Sequence, residues 1–164
     1  MKNLKFNALV RLYENEVFSL ALYLLRDRSE AEDMAQEVYI RLWENLAQVE
    51  FARAKLWLLR VTRNACLDRL RRRTREREFA QQAPVPQPAA NPMDTLSRER
   101  RAAQLQEAVG GLAEPYRSLI ILRDIHQHSY QDIARLLELS LDQVRVYLYR
   151  ARQQLRTRLE ALEI

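Results

Sequence analysis

A net charge of +5, from 27 Lys and Arg against 22 Asp and Glu in 164 residues, points to a polyanionic partner, either nucleic acid or an anionic membrane. One cysteine, Cys66, excludes an internal disulfide and a cysteine-built zinc site, and two glycines leave no loop to cradle a nucleotide phosphate. Hydrophobic residues make up 48% of the chain yet never form the run of about 18 that a membrane span needs.

The N-terminus mixes acids with apolar residues from Met1 to Phe18 and lacks a signal peptide's unbroken apolar run, so the chain is expected in the cytoplasm. Phe6, Leu9, Val10, Tyr13, Val17, Leu20 and Leu24 recur at three- and four-residue steps, which predicts a helix from Phe6 to Leu25. Arg26-Asp27-Arg28 breaks it, and Ser29 with Glu32 has the spacing of a capping box. Ala31, Met34, Ala35, Val38 and Leu42 stripe the second helix, whose other side shows Asp33, Gln36, Glu37 and Glu44. Asp33 and Glu37, one turn apart, repel by about 0.3 kcal/mol. Such a face is unsuited to DNA and serves either solubility or docking on a basic protein surface.

Asn45 to Lys55 has weak periodicity and contains a turn. A third helix is predicted from about Ala54 to Glu78, apolar at first (Leu56, Trp57, Leu59, Val61) and then dominated by arginine. Arg63, Asn64, Asp68 and Arg71 fall near one face. Asparagine can bond a base edge, and arginines hold phosphates or stack on unpaired bases, so this reads as a nucleic-acid surface.

Ala80 to Asp94 then holds four of the five prolines and reads as a linker, because proline at that density blocks helix. A fourth helix is predicted from Thr95 to Val109, ended by Gly110-Gly111. After Pro115, the residues Leu119, Ile120, Leu122 and Ile125 supply core. Two tightly spaced helices follow. Ser129 with Asp132 and Ser140 with Gln143 mark their starts, and only Glu138-Leu139-Ser140 separates their apolar faces. That is a helix-turn-helix pattern. On the second helix Arg145, Val146, Tyr149, Arg150, Arg152 and Arg156 project away from Val144, Leu148, Ala151 and Leu155. Arginine's planar fork fits guanine edges and phosphates, which makes this a second surface for DNA.

The fold class is therefore all-α, with two small helical domains (1–79 and 96–164) joined by a flexible proline-rich linker (80–95). No Ser/His/Asp or Cys/His order suggests catalysis, and Cys66 reads as core. His126 and His128 have no carboxylate or cysteine beside them in sequence and read as loop residues, so neither a metal nor a cofactor is expected. The residues alone leave a free-standing helix-turn-helix regulator and a helical protein adaptor open beside a larger transcription role.

In order, AEDMAQEVYIRLWEN, WLLRVTRNACLDRLRRR, LAEPYRSLIILRD and SYQDIARLLELS…VRVYLYRARQQL resemble the extracytoplasmic-function (group four) sigma factors of bacterial RNA polymerase, over nearly the whole chain outside the linker. The resemblance implies a region-two domain that docks on core polymerase and melts the −10 element, and a region-four domain that reads the −35 element. It implies docking of Asp33, Gln36 and Glu37, with Trp43 as core or contact, on the β′ clamp helices, with the β subunit also engaged. It implies −10 contacts from Arg63, Asn64, Asp68, Arg69, Arg71 and Arg72, and −35 contacts from Arg145, Val146, Tyr149 and Arg150, with Arg117 on phosphate. An anti-sigma partner is implied too, without insertion of this chain into a membrane. Phe51 lies near the loop that captures a flipped base in such proteins, but reads better as a core anchor. Glu138, Asp142-Gln143 and Ala113 depart from the family's usual Gly, Gly-Thr and Pro. A left-handed Glu138 would cost roughly 1 kcal/mol.

Overall fold

The computed structural model describes residues 1–80 and 97–162, which are helices and short turns with no strand among them. The linker expected at 80–95, apart from Ala80, and the first two residues of the fourth predicted helix, Thr95 and Leu96, lie outside the described residues.

Helix α1 (Lys2–Leu25) starts a turn earlier than its apolar period and ends at Arg26, left-handed at φ 59°, whose N–H bonds the Leu22 carbonyl at 2.8 Å. Asp27, not Ser29, caps α2 (Arg28–Glu44): its extended backbone lets the carboxylate accept the Glu30 N–H at 2.9 Å, while Ser29 is already helical. The five apolar residues expected to stripe α2 are its buried residues. Beyond it the chain is pinned by buried Leu46 and Val49, whose carbonyls accept from Lys5 Nζ at 2.7 and 2.6 Å. A tight turn, Phe51–Arg53, leads into α3 (Ala54–Ala80).

The second half comprises α4 (Ser97–Gly110), α5 (Tyr116–Ile120), α6 (Tyr130–Leu137) and α7 (Leu141–Leu162). Neither Gly110 nor Gly111 has positive φ. Gly110 instead permits close approach, since a Cβ there would lie 2.5 Å from Cδ of Arg26. After α5 the coil widens over Ile121–Ile125, and the His126 N–H reaches back five residues to the Ile121 carbonyl at 2.9 Å. Leu119, Ile120, Ile121 and Leu122 are all fully buried, so this segment is covered on every side.

Both predicted caps of the helix-turn-helix form. Ser129 Oγ accepts the Asp132 N–H, and Ser140 and Gln143 bond reciprocally at 3.1 and 2.9 Å. The turn between α6 and α7 closes with the Leu139 N–H on the Ala134 carbonyl at 3.0 Å and Glu138 left-handed at φ 58°.

One buried cluster (Leu9, Val17, Val38, Leu42, Leu46, Val49, Leu58) fills the far end of the α1–α3 bundle. The other is continuous across both halves, joining Leu20, Leu24, Met34 and Leu59 to Val109, Leu119–Leu122, Ile133, Val144 and Leu148. Each fully buried Leu or Ile contributes about 1.5–3 kcal/mol relative to exposure, so this seam outweighs the polar contacts at its rim.

Glu138→Gly removes the left-handed cost, partly offset by the freer unfolded chain. It should raise stability by about 0.5–1 kcal/mol, seen as a rise of about 1–4 °C in thermal midpoint by circular dichroism.

Candidate polymerase and nucleic-acid interfaces

The α2 stripe turns Asp33, Gln36, Glu37 and Glu44 to solvent. Among them sits Ile40, 58% exposed, which the sequence reading passed over because it falls off the buried period. Trp43 is partly exposed, its ring edge-on to Phe6 at 5.3 Å with Lys2 Nζ 4.3 Å from the indole centroid. The face is thus acidic with an exposed apolar patch at Ile40 and Trp43.

The α3 arginines are not equivalent. Arg69 reaches Glu37 at 3.5 Å and Arg73 pairs with Glu30, tying α3 to α2. Arg71 bonds Asp68 at 2.8 Å, and Arg72 is exposed. Arg63, Asn64, Asp68 and Arg71 line an open groove of about 1000 Å³ whose other wall carries Glu114 and Arg117. Here the two halves meet through polar groups. Arg63 Nε donates to Ser118 Oγ at 2.8 Å and its Nη2 lies 3.1 Å from Glu114, which also accepts from Ser118 at 2.6 Å. Arg117 is turned inward, donating to the Leu112 carbonyl at 3.1 Å and lying 3.6 Å from Glu114; burial draws its pKa down. At the rim, Arg60 donates to the Arg135 carbonyl and Gln106 to the Leu22 carbonyl. Arg63 and Arg117, expected on separate DNA surfaces, are therefore brought onto one carboxylate.

Along α7 the expected recognition residues are outward: Val146 is 45% exposed, Tyr149 63%, and Arg145 and Arg150 flank them. Arg145 pairs with Asp142 at 3.1 Å, and Tyr149 accepts from Gln153 at 2.7 Å. Arg152 differs from the rest of the run. It grips Asp124 through two hydrogen bonds of 2.7 and 3.0 Å, which raise its pKa and strap α7 to the segment after α5.

Other expectations change. Phe51 is not a core anchor: it opens the turn before α3 and is half-exposed. Cys66 is core, and burial pushes its thiol up to about 12. His126 and His128 do have a carboxylate beside them, because α1 brings Glu16 across from the other half of the chain, 110 residues away in sequence at its nearest (126 − 16). Burial alone would raise Glu16, but the close approach and positive charge of His128, with His126 and Lys55 adding, hold it below its ordinary value.

Comparison with known proteins matches the Sigma-70 region 2 family to residues 9–76 and the Sigma-70 region 4 family to residues 94–155. The chain belongs to the extracytoplasmic-function sigma factors. Among its relatives, the ECF RNA polymerase sigma factor SigE of Mycolicibacterium smegmatis is 35% identical, over 92% of this chain and 60% of that protein. The ECF sigma factor SigW of Bacillus subtilis is 25% identical, over 96% and 90%. This sigma factor spans a little under two thirds of the mycobacterial relative and most of the Bacillus one. Its fold is similar to sigma factor RpoE solved with the anti-sigma factor NepR from Bartonella quintana (TM-score 0.78, 23% identity, 94% and 96% coverage). It is also similar to CnrH solved with the cytosolic domain of CnrY (TM-score 0.72, 22% identity, 95% and 88% coverage).

Glu114→Gln would leave two partly buried guanidinium groups without their shared charge. This should loosen the contact between the halves by about 1–2 kcal/mol, discounted from the cost of breaking a fully buried pair because these groups are about a fifth exposed. The check is a shorter amide-exchange protection time for α5 in the variant.

Proposed function

We infer that this chain is an alternative sigma factor that joins core RNA polymerase, recognises −35 and −10 promoter elements and helps open the DNA. The observation that carries the reading is the pairing, in one chain, of the region 2 and region 4 families with a capped helix-turn-helix whose α7 presents Arg145, Val146, Tyr149 and Arg150 outward. The roles follow the surfaces. Asp33, Gln36, Glu37 and Trp43, with Ile40, dock on a basic polymerase surface. Arg63, Asn64, Asp68, Arg69, Arg71 and Arg72 face the −10 element, and half-exposed Phe51 offers a ring for an unstacked base. Arg117 serves phosphate once it turns away from Leu112 and Glu114. The domain limits proposed are 1–79 and 96–164, with 80–95 as the tether.

The Arg63–Glu114–Ser118 contact covers part of the proposed −10 surface, so promoter opening requires the halves to separate. The solved complex of RpoE contains an anti-sigma factor and that of CnrH the cytosolic domain of CnrY, and an anti-sigma partner is proposed to restrain this chain. No described helix is long and apolar enough to cross a membrane, which suits action in the cytoplasm, with any membrane tether supplied by that partner.

Transcription from a promoter library, with core polymerase plus and minus the chain, tests the reading. New start sites sharing −35 and −10 motifs are expected; none, despite core binding, would indicate an adaptor. Asp33→Ala with Glu37→Ala should weaken core binding at least tenfold, about 1.4 kcal/mol. Arg145→Ala and Arg150→Ala should each cost about 1–3 kcal/mol in −35 discrimination while core affinity holds, measured by competition binding with mismatched promoters.

A further inference from the structure

The Glu16, His126 and His128 cluster has no part in the reading above. Its three donors come from opposite halves of the molecule: Glu16 from the middle of α1, both histidines from the turn between α5 and α6. All the potential ligand atoms lie within 4.8 Å of one another, and the site is half-buried to buried.

Three features distinguish it from a chance ion pair. First, the imidazole nitrogens that face the carboxylate have no satisfied hydrogen bond. His128 Nε2 lies 2.5 Å from Glu16 Oε1, but off the line a hydrogen bond needs, and its side chain is only 3% exposed. His126 Nδ1 lies 4.0 Å from the same oxygen and also lacks a partner among the described residues. Second, His126 is already oriented as a ligand. Its Nε2 sits 2.8 Å from Ser19 Oγ, and a proton held there leaves the Nδ1 lone pair aimed at the cluster. Third, the turn carrying the rings is fixed before any ligand arrives. The His126 and His128 N–H groups bond the Ile121 and Leu122 carbonyls at 2.9 Å, Arg123 donates to the His128 carbonyl at 2.8 Å, and Gln127 between them is left-handed at φ 61°.

We propose that Glu16, His126 and His128 bind a divalent transition-metal ion of the zinc class and that the ion clamps the two halves together. Two imidazoles and a carboxylate are ordinary ligands for such an ion, with a water to complete four-coordination. Bonds of about 2.0–2.2 Å separate tetrahedral ligands by roughly 3.3 Å, so the 2.5 Å approach must lengthen and the 4.0 Å approach contract, each by less than about 1 Å. The two imidazole nitrogens, within 4.8 Å of each other, must close by up to about 1.5 Å. Those are side-chain adjustments. Because two ligands lie in the region 4 half and one in the region 2 half, the ion binds the closed arrangement and not a separated one. At one hundred times its dissociation constant it should favour the closed form about 100-fold. The consequence for transcription rests on the sigma-factor reading; the site itself does not.

The test uses the full chain. Titration with Co²⁺ should give saturable visible d–d absorption at one ion per chain, displaced by Zn²⁺. Both Glu16→Gln and His126→Gln, checked for native helicity without metal, should lose it. Dyes on cysteines placed at exposed Glu44 and Glu160 should report one proximity state on Zn²⁺ addition, and no change in Glu16→Gln. Weak absorption that does not saturate near one equivalent, or saturable absorption that survives Glu16→Gln, would overturn the site. Binding without any effect of Zn²⁺ on separation, under conditions where the free chain opens, would overturn the clamp. None of these readouts needs polymerase or promoter, so a failed transcription assay leaves them intact.

Discussion

The structure depends on one constraint: the segment Leu119–Leu122 is apolar on every face and must be covered from all sides. Helices α6 and α7 cover one side through Ile133, Leu136, Val144 and Leu148. The cluster then continues into Leu20, Leu24 and Leu59 of the first half, so the region 2 bundle is part of what keeps the region 4 half dry. The widened turn that follows the segment swings His126 and His128 toward α1. The short polar bridges, Arg63 to Glu114 and Ser118, and Arg60 to the Arg135 carbonyl, decorate the rim of that seam. They set register, while the apolar burial sets strength, because the many fully buried Leu and Ile side chains of the seam contribute about 1.5–3 kcal/mol each.

Much of this was legible in the residues. The α2 stripe, the two serine caps and the outward recognition residues depend on local spacing, and local spacing is what a single sequence displays. The cap of α2 was misplaced by two residues because Asp27 and Ser29 are both competent caps; which one wins depends on where the chain leaves the left-handed Arg26. Ile40 and Phe51 were missed as surface groups because an apolar side chain reads as core until the rest of the core is known. The partners of Arg63, Arg117 and His128 were beyond reach for a different reason. Those of Arg63 and His128 lie across the linker, where no periodicity couples residues that meet only through tertiary packing, and those of Arg117, Leu112 and Glu114, depend on how the turn before α5 folds.

The arginine-rich composition is also less uniform than it looks. Along the two arginine-rich helices read as separate nucleic-acid surfaces, Arg69, Arg73 and Arg152 brace helices against Glu37, Glu30 and Asp124. The exposed Arg72, Arg145 and Arg150 differ from them in position rather than in chemistry. Net charge therefore describes the far field that draws in DNA, whereas specificity must come from the few side chains the fold leaves outward.

The same accounting orders the events of promoter engagement on the roles proposed here. The acidic face of α2 and the outward face of α7 are exposed while the halves are closed. Arg63, by contrast, is held at Glu114 and Arg117 is turned into the same groove, so the −10 surface and the proposed phosphate contact of Arg117 are what the closed arrangement covers. A closed chain can thus dock on polymerase through α2 without first exposing its apolar seam to water. Opening in free solution must expose side chains worth about 1.5–3 kcal/mol apiece, whereas opening on a polymerase surface can exchange that burial for new contacts. Docking before opening is therefore the cheaper path, and anything that ties α1 to the segment after α5 acts on the second step and not on the first.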